Sequence, residues 1–553
     1  MKLNKICIVI LFSTSQLLAQ DIGTTEVRVV EGFIPSISEA SRLNEKAAFA
    51  DTIKKVRTQE YAVVETDLKS DYKIRLLKAA KVKADKIAQL QSTRVGLGFG
   101  SAWITKASVL YNSKRSKTMS YGVLLNHFSN RYYDDSNALY KNGKNNMHLY
   151  GKKITASHVF MANLDYDRRT VLFWNENSTL SNEENYRNRF AYSKISLSVV
   201  SKELAADKLK YFTTFFVSDL NELSENQVHL GANLSKTIKS LPFSLEIELD
   251  NYLRYNNPDS KFESANILSF YFSPSTSFTK YGLDFDLGLG LHYLSDDTPV
   301  DVFPQIKASK ELVRGVLLVY GGLRHNEQMH TLKSLSDENP YIHSYGTNQA
   351  IFSGKASHDL KITGTDELYF AMRNMLSKDE LLEWGVAYGT VQNFAYFVNN
   401  HDLNYNRFLV NYLDVKQLHV NVNYVRKINK IIDLNANANY YNWDEEVYHK
   451  PNLTFNVMVP INLRNKIKVA PSLSFMDKRK AISSFGSHLV SLASQTNKEF
   501  PSQIHINLGM YYNYTKNISA YINLNNLTNS KQDVWDGYFE VGFNGVFGLN
   551  YSF

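Results

Sequence analysis

The sequence predicts an all-β protein: a transmembrane antiparallel β-barrel of about 16–22 strands, preceded by a short mixed segment. Three observations predict it. Long segments alternate apolar and polar side chains one by one. Tyr and Phe, 35 and 31 in number, crowd the ends of the apolar faces. The chain also stops on an aromatic, Phe553, at the end of such a segment.

Bulk composition agrees with this class and excludes others. After the first twenty residues no stretch approaches the apolar length of a helical span, which needs about 20 residues to cross hydrocarbon. Mean hydropathy is slightly negative at −0.32, as expected when alternation dilutes the apolar residues of a barrel twofold. The formal charge of +8 is modest for 553 residues, and much of the excess lies between Lys54 and Lys86. No nucleic-acid motif accompanies it, so nucleic acid is excluded as a partner.

Taken in order, residues 1–20 read as a secretory signal. Lys2 and Lys5 form its charged start, Ile6 to Phe12 its apolar core, and Leu17-Leu18-Ala19-Gln20 its cleavage zone, cut after Ala19 or Gln20. Cys7, the chain's one cysteine, lies inside it. The mature chain is therefore expected to carry neither disulfide nor thiolate metal site.

Residues 21–92 are expected to form a periplasmic or lumen-occupying extension. Ser36 or Ser38 can cap a short helix through Glu39, Ala40 and Leu43. Leu76, Ala80, Ala84, Ile87 and Ala88 recur at helical spacing between Leu76 and Leu90. Lys78, Lys81 and Lys86 on its other face suit a solvated helix or a basic docking surface.

The barrel is expected over residues 93–553, because the period changes to two near Arg94. Leu283, Phe285, Leu287, Leu289 and Leu291 alternate with Asp284, Asp286, Gly288, Gly290 and His292. Leu434, Ala436 and Ala438 alternate with Asn435, Asn437 and Asn439, and Ile504, Ile506, Leu508 and Met510 behave likewise. These runs match the roughly 9–11 residues a tilted strand needs to cross a membrane. Tyr293, Tyr440 with Trp443, and Tyr512 with Tyr514 suit the interfacial girdles. Lys427–Lys430 and Thr515–Asn517 are tight turns. Tyr132–Asn146, Asn175–Arg189, Arg324–Ala350 and Asn526–Gly537 are expected to be long outer loops, the asymmetry usual in outer-membrane barrels.

The last strand places Phe547, Leu549, Tyr551 and Phe553 on one face. It resembles the terminal strand by which the barrel-assembly machinery recognises outer-membrane proteins, through free edge groups and a side-chain pattern. The wider tail is Ile522-Asn523-Leu524-Asn525-Asn526-Leu527-Thr528-Asn529, then Trp535-Asp536-Gly537-Tyr538, then Gly548-Leu549-Asn550-Tyr551-Ser552-Phe553. With the LLAQ end of the signal, it resembles the close of a TonB-dependent receptor barrel of Bacteroidota type. That resemblance implies an integral outer-membrane location, contact with outer-membrane lipid, and TonB or another periplasmic partner engaged through residues 21–92. It covers about thirty residues, a few strands' worth, and it stops at the other end. Such receptors hold a plug of well over about a hundred residues, the size of a small domain, where this chain has only the extension. Glu26-Val27-Arg28-Val29-Val30 is the one stretch that resembles a TonB box.

No catalytic constellation is legible: neither GxSxG, HExxH nor a phosphate-cradling glycine loop occurs. An enzyme is not expected, and no cofactor is called for. His325, Glu327 and His330, with His343 beyond, come nearest to a metal cluster, but read better as a solvated outer loop. Gly96, Gly98 and Gly100 alternate on one strand face, where the missing side chains leave room for the extension against the inner wall. Glu246, Glu248, Asp250, Asp284 and Asp286 fall on polar faces and predict an acidic patch in the lumen. It either favours cations or pairs with lysines of the extension. Two functions follow: transport of small polar solutes, or a non-conducting barrel that serves as a scaffold of a larger envelope assembly.

Overall fold

The structure is a computed structural model, and it describes residues 90–133, 139–172, 187–203, 205–221, 224–254, 266–295, 300–342, 361–400, 407–483 and 496–553. The signal, the TonB-box-like stretch, the predicted helices and the lysines between Lys54 and Lys86 lie outside the described residues.

Each long strand pairs antiparallel with the next in sequence, and the last, Asn544–Ser552, pairs with the first, Thr93–Gly100. The sheet therefore closes on itself. Of its 23 segments, Leu453–Met458 and Ile461–Leu463 share one partner, Ile467–Met476. They are two halves of one stave parted at Pro460, which has no N–H to offer a ladder. The barrel thus has 22 staves, the even number expected. No helix among the described residues is long and apolar enough to cross a membrane.

Side-chain alternation sorts the residues as the sequence predicts. Leu97, Ile195, Leu230, Leu368 and Ile504 stand outward and exposed, Leu368 by as much as 63%. In a bilayer this belt is buried in lipid. Inward groups bond across neighbouring staves instead: Gln227 to Asp250 at 2.8 Å, Ser269 to His292 at 2.8 Å, and His148 to Asp165 at 2.5 Å. The apolar outer belt and wet interior identify an outer-membrane barrel. Strands Glu380–Asn400 and Arg407–Lys427 run to 21 residues each, about twice what a crossing requires, and so project beyond the bilayer.

Turns are short at one end and long at the other, but two expected loops are shorter than predicted. Strands reach Tyr133 and resume at Leu139, so most of Tyr132–Asn146 is ladder. Arg324–Met329 also belongs to a strand, Leu317–Met329. Polar, irregular-looking residues misled the reading, because strand ends above the membrane need no apolar face.

The closing seam explains the glycines of the first strand. Gly98 is opposite Gly548, which is opposite Tyr521. A Cβ on Gly98 would meet the Tyr521 hydroxyl at 2.3 Å, and one on Gly548 would meet its ring at 2.2 Å. Space over Gly96 is held by Asn550 and Ser108. The expected room for the extension is therefore taken by the barrel's own side chains. At the rim, the Ser92 and Thr93 amides both donate to the Phe553 carbonyl at 3.0 Å.

Gly548→Leu should displace Tyr521 and destabilise the seam by about 1–3 kcal/mol, the usual overpacking cost. A lower unfolding temperature in gel heat-modifiability checks this, and adding Tyr521→Ala should recover most of the loss. A single variant as stable as the parent contradicts the packing.

Candidate functional site: the lumen wall and its outer lid

Loops at the outer end fold across the mouth rather than away from it. The chain leaves the thirteenth stave, Leu317–Met329, and enters a short helix, Leu332–Glu338. Thr331 caps this helix by accepting from the Ser334 amide at 3.0 Å. Its Leu332 and Leu335 are buried. Three wall residues from distant staves hold the segment. Glu225 accepts from the Leu332 amide at 2.7 Å and from the Lys333 amide at 3.3 Å. Asn188 donates to the carbonyls of Pro340 and Ile342, each at 2.8 Å. Arg169 donates to the Asp337 carbonyl at 3.1 Å. These residues lie on the eighth, sixth and fifth staves, so residues 330–342 span a chord of the mouth.

A second layer comes from the tail. Asp533–Trp535 and Tyr538–Phe539 form a small hairpin, and Tyr538 is buried against Tyr341 with ring centroids 3.5 Å apart. Tyr132 donates to the Phe539 carbonyl at 2.6 Å. Trp535 meets Phe397 and Phe408, buried tips of the two projecting strands, at 5.2 and 5.4 Å. The hairpin Arg479–Ser483 with Thr496–Phe500 completes the layer. Arg479 donates to the carbonyls of Val534 and Asp533 at 2.9 and 2.8 Å. Lys498 sits between Asp533 and Asp536 at 2.6 and 2.8 Å. Such aromatic contacts, each about 0.5–1.5 kcal/mol beyond their area, join the loops into one lid.

His449 lies inside this lid among Phe408, Phe500 and Trp535. Neither ring nitrogen has a hydrogen-bond partner among the described residues. Burial pushes the imidazole down to about 3, and the Arg479, Lys450 and Lys498 charges push the same way. Burial also lowers His330, which is bonded to Thr363 at 2.6 Å.

Beneath the helix is a cavity of about 360 Å³, lined by Lys144, Asn146, Asp167, Arg168, Arg169, Phe190, Tyr192, Lys333 and Asp337. Lys333 stands over the Tyr192 ring at 4.8 Å. Cations, amide and aromatic faces there suit a small polar or anionic solute, in the usual size range of ligand pockets.

The predicted acidic residues fall into two groups rather than one ring. Glu248 is opposite Tyr271, whereas Asp286 is opposite Ser277, six residues along the intervening strand. Asp250 is buried and accepts from Gln227 and from His229, the latter at 3.0 Å. Asp286 pairs with Lys307 at 3.3 Å, and Asp284 accepts from Thr279 at 2.6 Å. Glu246 and Glu248 have no ion pair among the described residues.

His325 and Glu327 are strand residues, not loop residues. Glu327 accepts from His292 at 2.9 Å and lies 3.1 Å from the Nε2 of His325, whose Nδ1 meets Asp366 at 2.7 Å. No group of three metal-type ligands forms among the described residues, and His343 lies outside them. The lid anchors Glu225, Asn188 and Arg169 escaped the sequence reading because their partners are 107 to 168 positions away. Only Trp535-Asp536-Gly537-Tyr538 had stood out, as part of the tail.

No protein-family model and no curated protein matches the chain. Solved structures do match in fold. A siderophore receptor, PirA from Acinetobacter baumannii, superposes with TM-score 0.60 at 12% identity, covering 85% of this chain and 81% of its own. A mutant ferric enterobactin receptor, PfeA from Pseudomonas aeruginosa, gives 0.59 at 11%, covering 84% and 80%. The copper transporter OprC gives 0.57 at 11%, with the same coverage. The fold is that of the siderophore-receptor barrels.

The lowered histidines set a sign for the lid's pH response. An imidazole held below its ordinary value takes a proton only when the lid opens, so docking weakens as pH falls. For His449 the loss is up to about 1.4 kcal/mol per pH unit below about 6.5. Protease cleavage of the lid loops should rise between about pH 7 and about pH 5, and His449→Phe should flatten most of that rise. Equal cleavage at both pH values contradicts the assignment.

Proposed function

We propose that this protein is an integral outer-membrane barrel of TonB-dependent-receptor-like or porin-like function, moving small polar solutes across the outer membrane. The observation that carries this reading is the lidded, cation- and aromatic-lined cavity opening on a polar lumen. A pocket at the outer mouth collects solute, and a hydrated wall lets it pass. The neighbours of like fold are named as siderophore receptors and a copper transporter, which supports transport over catalysis. A non-enzymatic role without cofactor belongs to the same proposal.

So do the finer parts. Phe547, Leu549, Tyr551 and Phe553 face outward and half-exposed, available to the barrel-assembly machinery during biogenesis. Glu26-Val27-Arg28-Val29-Val30 is the proposed contact for TonB, with residues 21–92 in place of a full plug. The Bacteroidota lineage rests on the tail and signal motifs. Glu246 and Glu248, with Asp250, Asp284 and Asp286, are the proposed cation-favouring wall.

A second reading has one observation behind it: a packed lid lies across the outer mouth, as suits a non-conducting scaffold. Planar-bilayer recording separates the two. The full chain should be nearly closed. The chain without residues 21–92, carrying Glu225→Ala and Asn188→Ala to free the lid, should conduct. Adding Glu246→Gln and Glu248→Gln should lower its preference for potassium over chloride. No current from the freed barrel contradicts transport and leaves the scaffold.

A further inference from the structure

One ion pair in the lid is built for more than pairing. Lys498 Nζ lies 2.6 Å from an oxygen of Asp533 and 2.8 Å from one of Asp536. Asp536 is fully buried, and Asp533 is only 9% exposed. Lys307 and Lys333, by contrast, each meet one carboxylate, Asp286 and Asp337, and both of these are more than half exposed. Rings surround the Lys498 group. Phe500 is buried with its ring 5.2 Å from Nζ, and Tyr538, two residues past Asp536, is buried as well.

Other contacts fix both carboxylates in place. The Asp533 carbonyl accepts from Arg479 at 2.8 Å and from Gln503 at 3.1 Å, which holds that residue's backbone. Asn399, from the tip of a projecting strand, donates to the other oxygen of Asp536. Asp533 Oδ1 is buried and has no hydrogen-bond partner among the described residues. A buried carboxylate oxygen left bare is costly. Loss of Oδ2 as water would leave Oδ1 as a neutral amide oxygen, which burial penalises far less.

We propose that Lys498 and Asp533 condense to an isopeptide bond, with Asp536 moving the protons, so that the two outer hairpins of the lid become one covalent piece. The Lys498 ammonium gives a proton to the Asp533 carboxylate, leaving a neutral amine and a carboxylic acid. The amine lone pair then attacks Asp533 Cγ. Asp536 takes a proton from the nitrogen and hands it to the departing hydroxyl, which leaves as water. One C–N bond forms, one C–O bond breaks, and Asp536 ends as it began. No oxidant or co-reactant is required.

Amine and carboxyl held in contact react as if at about 10⁵–10⁸ M, the effective concentration of well-oriented neighbours. The surrounding rings exclude water and so favour the neutral forms that react. Burial raises the Asp533 carboxyl toward its acid form. Burial works against the Lys498 ammonium, but its two carboxylate bonds outweigh it and keep the proton on nitrogen. Proton transfer to Asp533 therefore precedes attack. The bond links the strand Thr496–Phe500 to the tail hairpin and leaves the wall contacts of residues 330–342 free to break. It is independent of whether the lumen conducts.

Tandem mass spectrometry of a tryptic digest of the full chain, sampled at intervals after refolding in detergent, tests the proposal. Acylation blocks cleavage at Lys498. The parent should therefore yield a branched species of residues 481–516 and 532–553, lighter by one water than their sum. Lys498→Arg keeps the cation but cannot form the bond, and should give linear peptides alone. Asp536→Asn should slow branching at least about a hundred-fold, the usual worth of a proton-transferring group. Gel heat-modifiability confirms that each variant is folded. A folded parent that gives only linear peptides overturns the proposal and leaves an ordinary ion pair. Branching as fast in Asp536→Asn as in the parent overturns the role given to Asp536.

Discussion

Everything in this structure depends on the ladder between Thr93–Gly100 and Asn544–Ser552. In hydrocarbon no water is present to satisfy a bare N–H or C=O, and each one left unpaired costs several kcal/mol. A sheet with two open edges cannot remain there. Pairing first strand to last removes both edges, and it sets the demands on the seam: small residues at Gly98 and Gly548, with Tyr521 filling the space they leave, and at Gly96, where Asn550 and Ser108 fill it. The same closure makes every stave two-faced, because a ring of strands has one side to lipid and one to the lumen.

That two-facedness separates the chemistry of the molecule. Outward residues are chosen for lipid. Inward residues form cross-stave pairs such as His292 with Glu327 and Asp286 with Lys307. Above the membrane neither rule holds, and aromatic residues return to an ordinary globular task. Phe397, Phe408, Trp535 and Tyr538 build a small buried core, and that core is the lid. A barrel built this way carries its wall in continuous ladders and its lid in loops, which dock through a limited set of contacts.

The strands were legible in the sequence because period two survives in every membrane-crossing segment, as in Leu283–Leu294. The seam was half legible. Its aromatic face could be read from Phe547 to Phe553, but the glycines acquire meaning only when Tyr521 is seen over them. The division of the acidic residues into two groups depends on stagger between strands, which no local pattern encodes. The lid was not legible. Glu225 capping a helix 107 residues away, or His449 lodged among rings from three segments, are products of loop folding. His325 and Glu327 were misplaced for a related reason, since strands extending beyond the bilayer lose the alternation that marks them.

The central claim is that solute passes through this lumen only when the lid leaves the mouth. Cysteines at Lys333 and Tyr192, in a chain with Cys7→Ser, are bridged by a short reversible bifunctional thiol reagent that fixes the helix to the wall. Uptake of a small labelled solute into proteoliposomes, with residues 21–92 removed, should be abolished by the bridge and restored on reduction. Equal uptake in the bridged and reduced states would contradict the account.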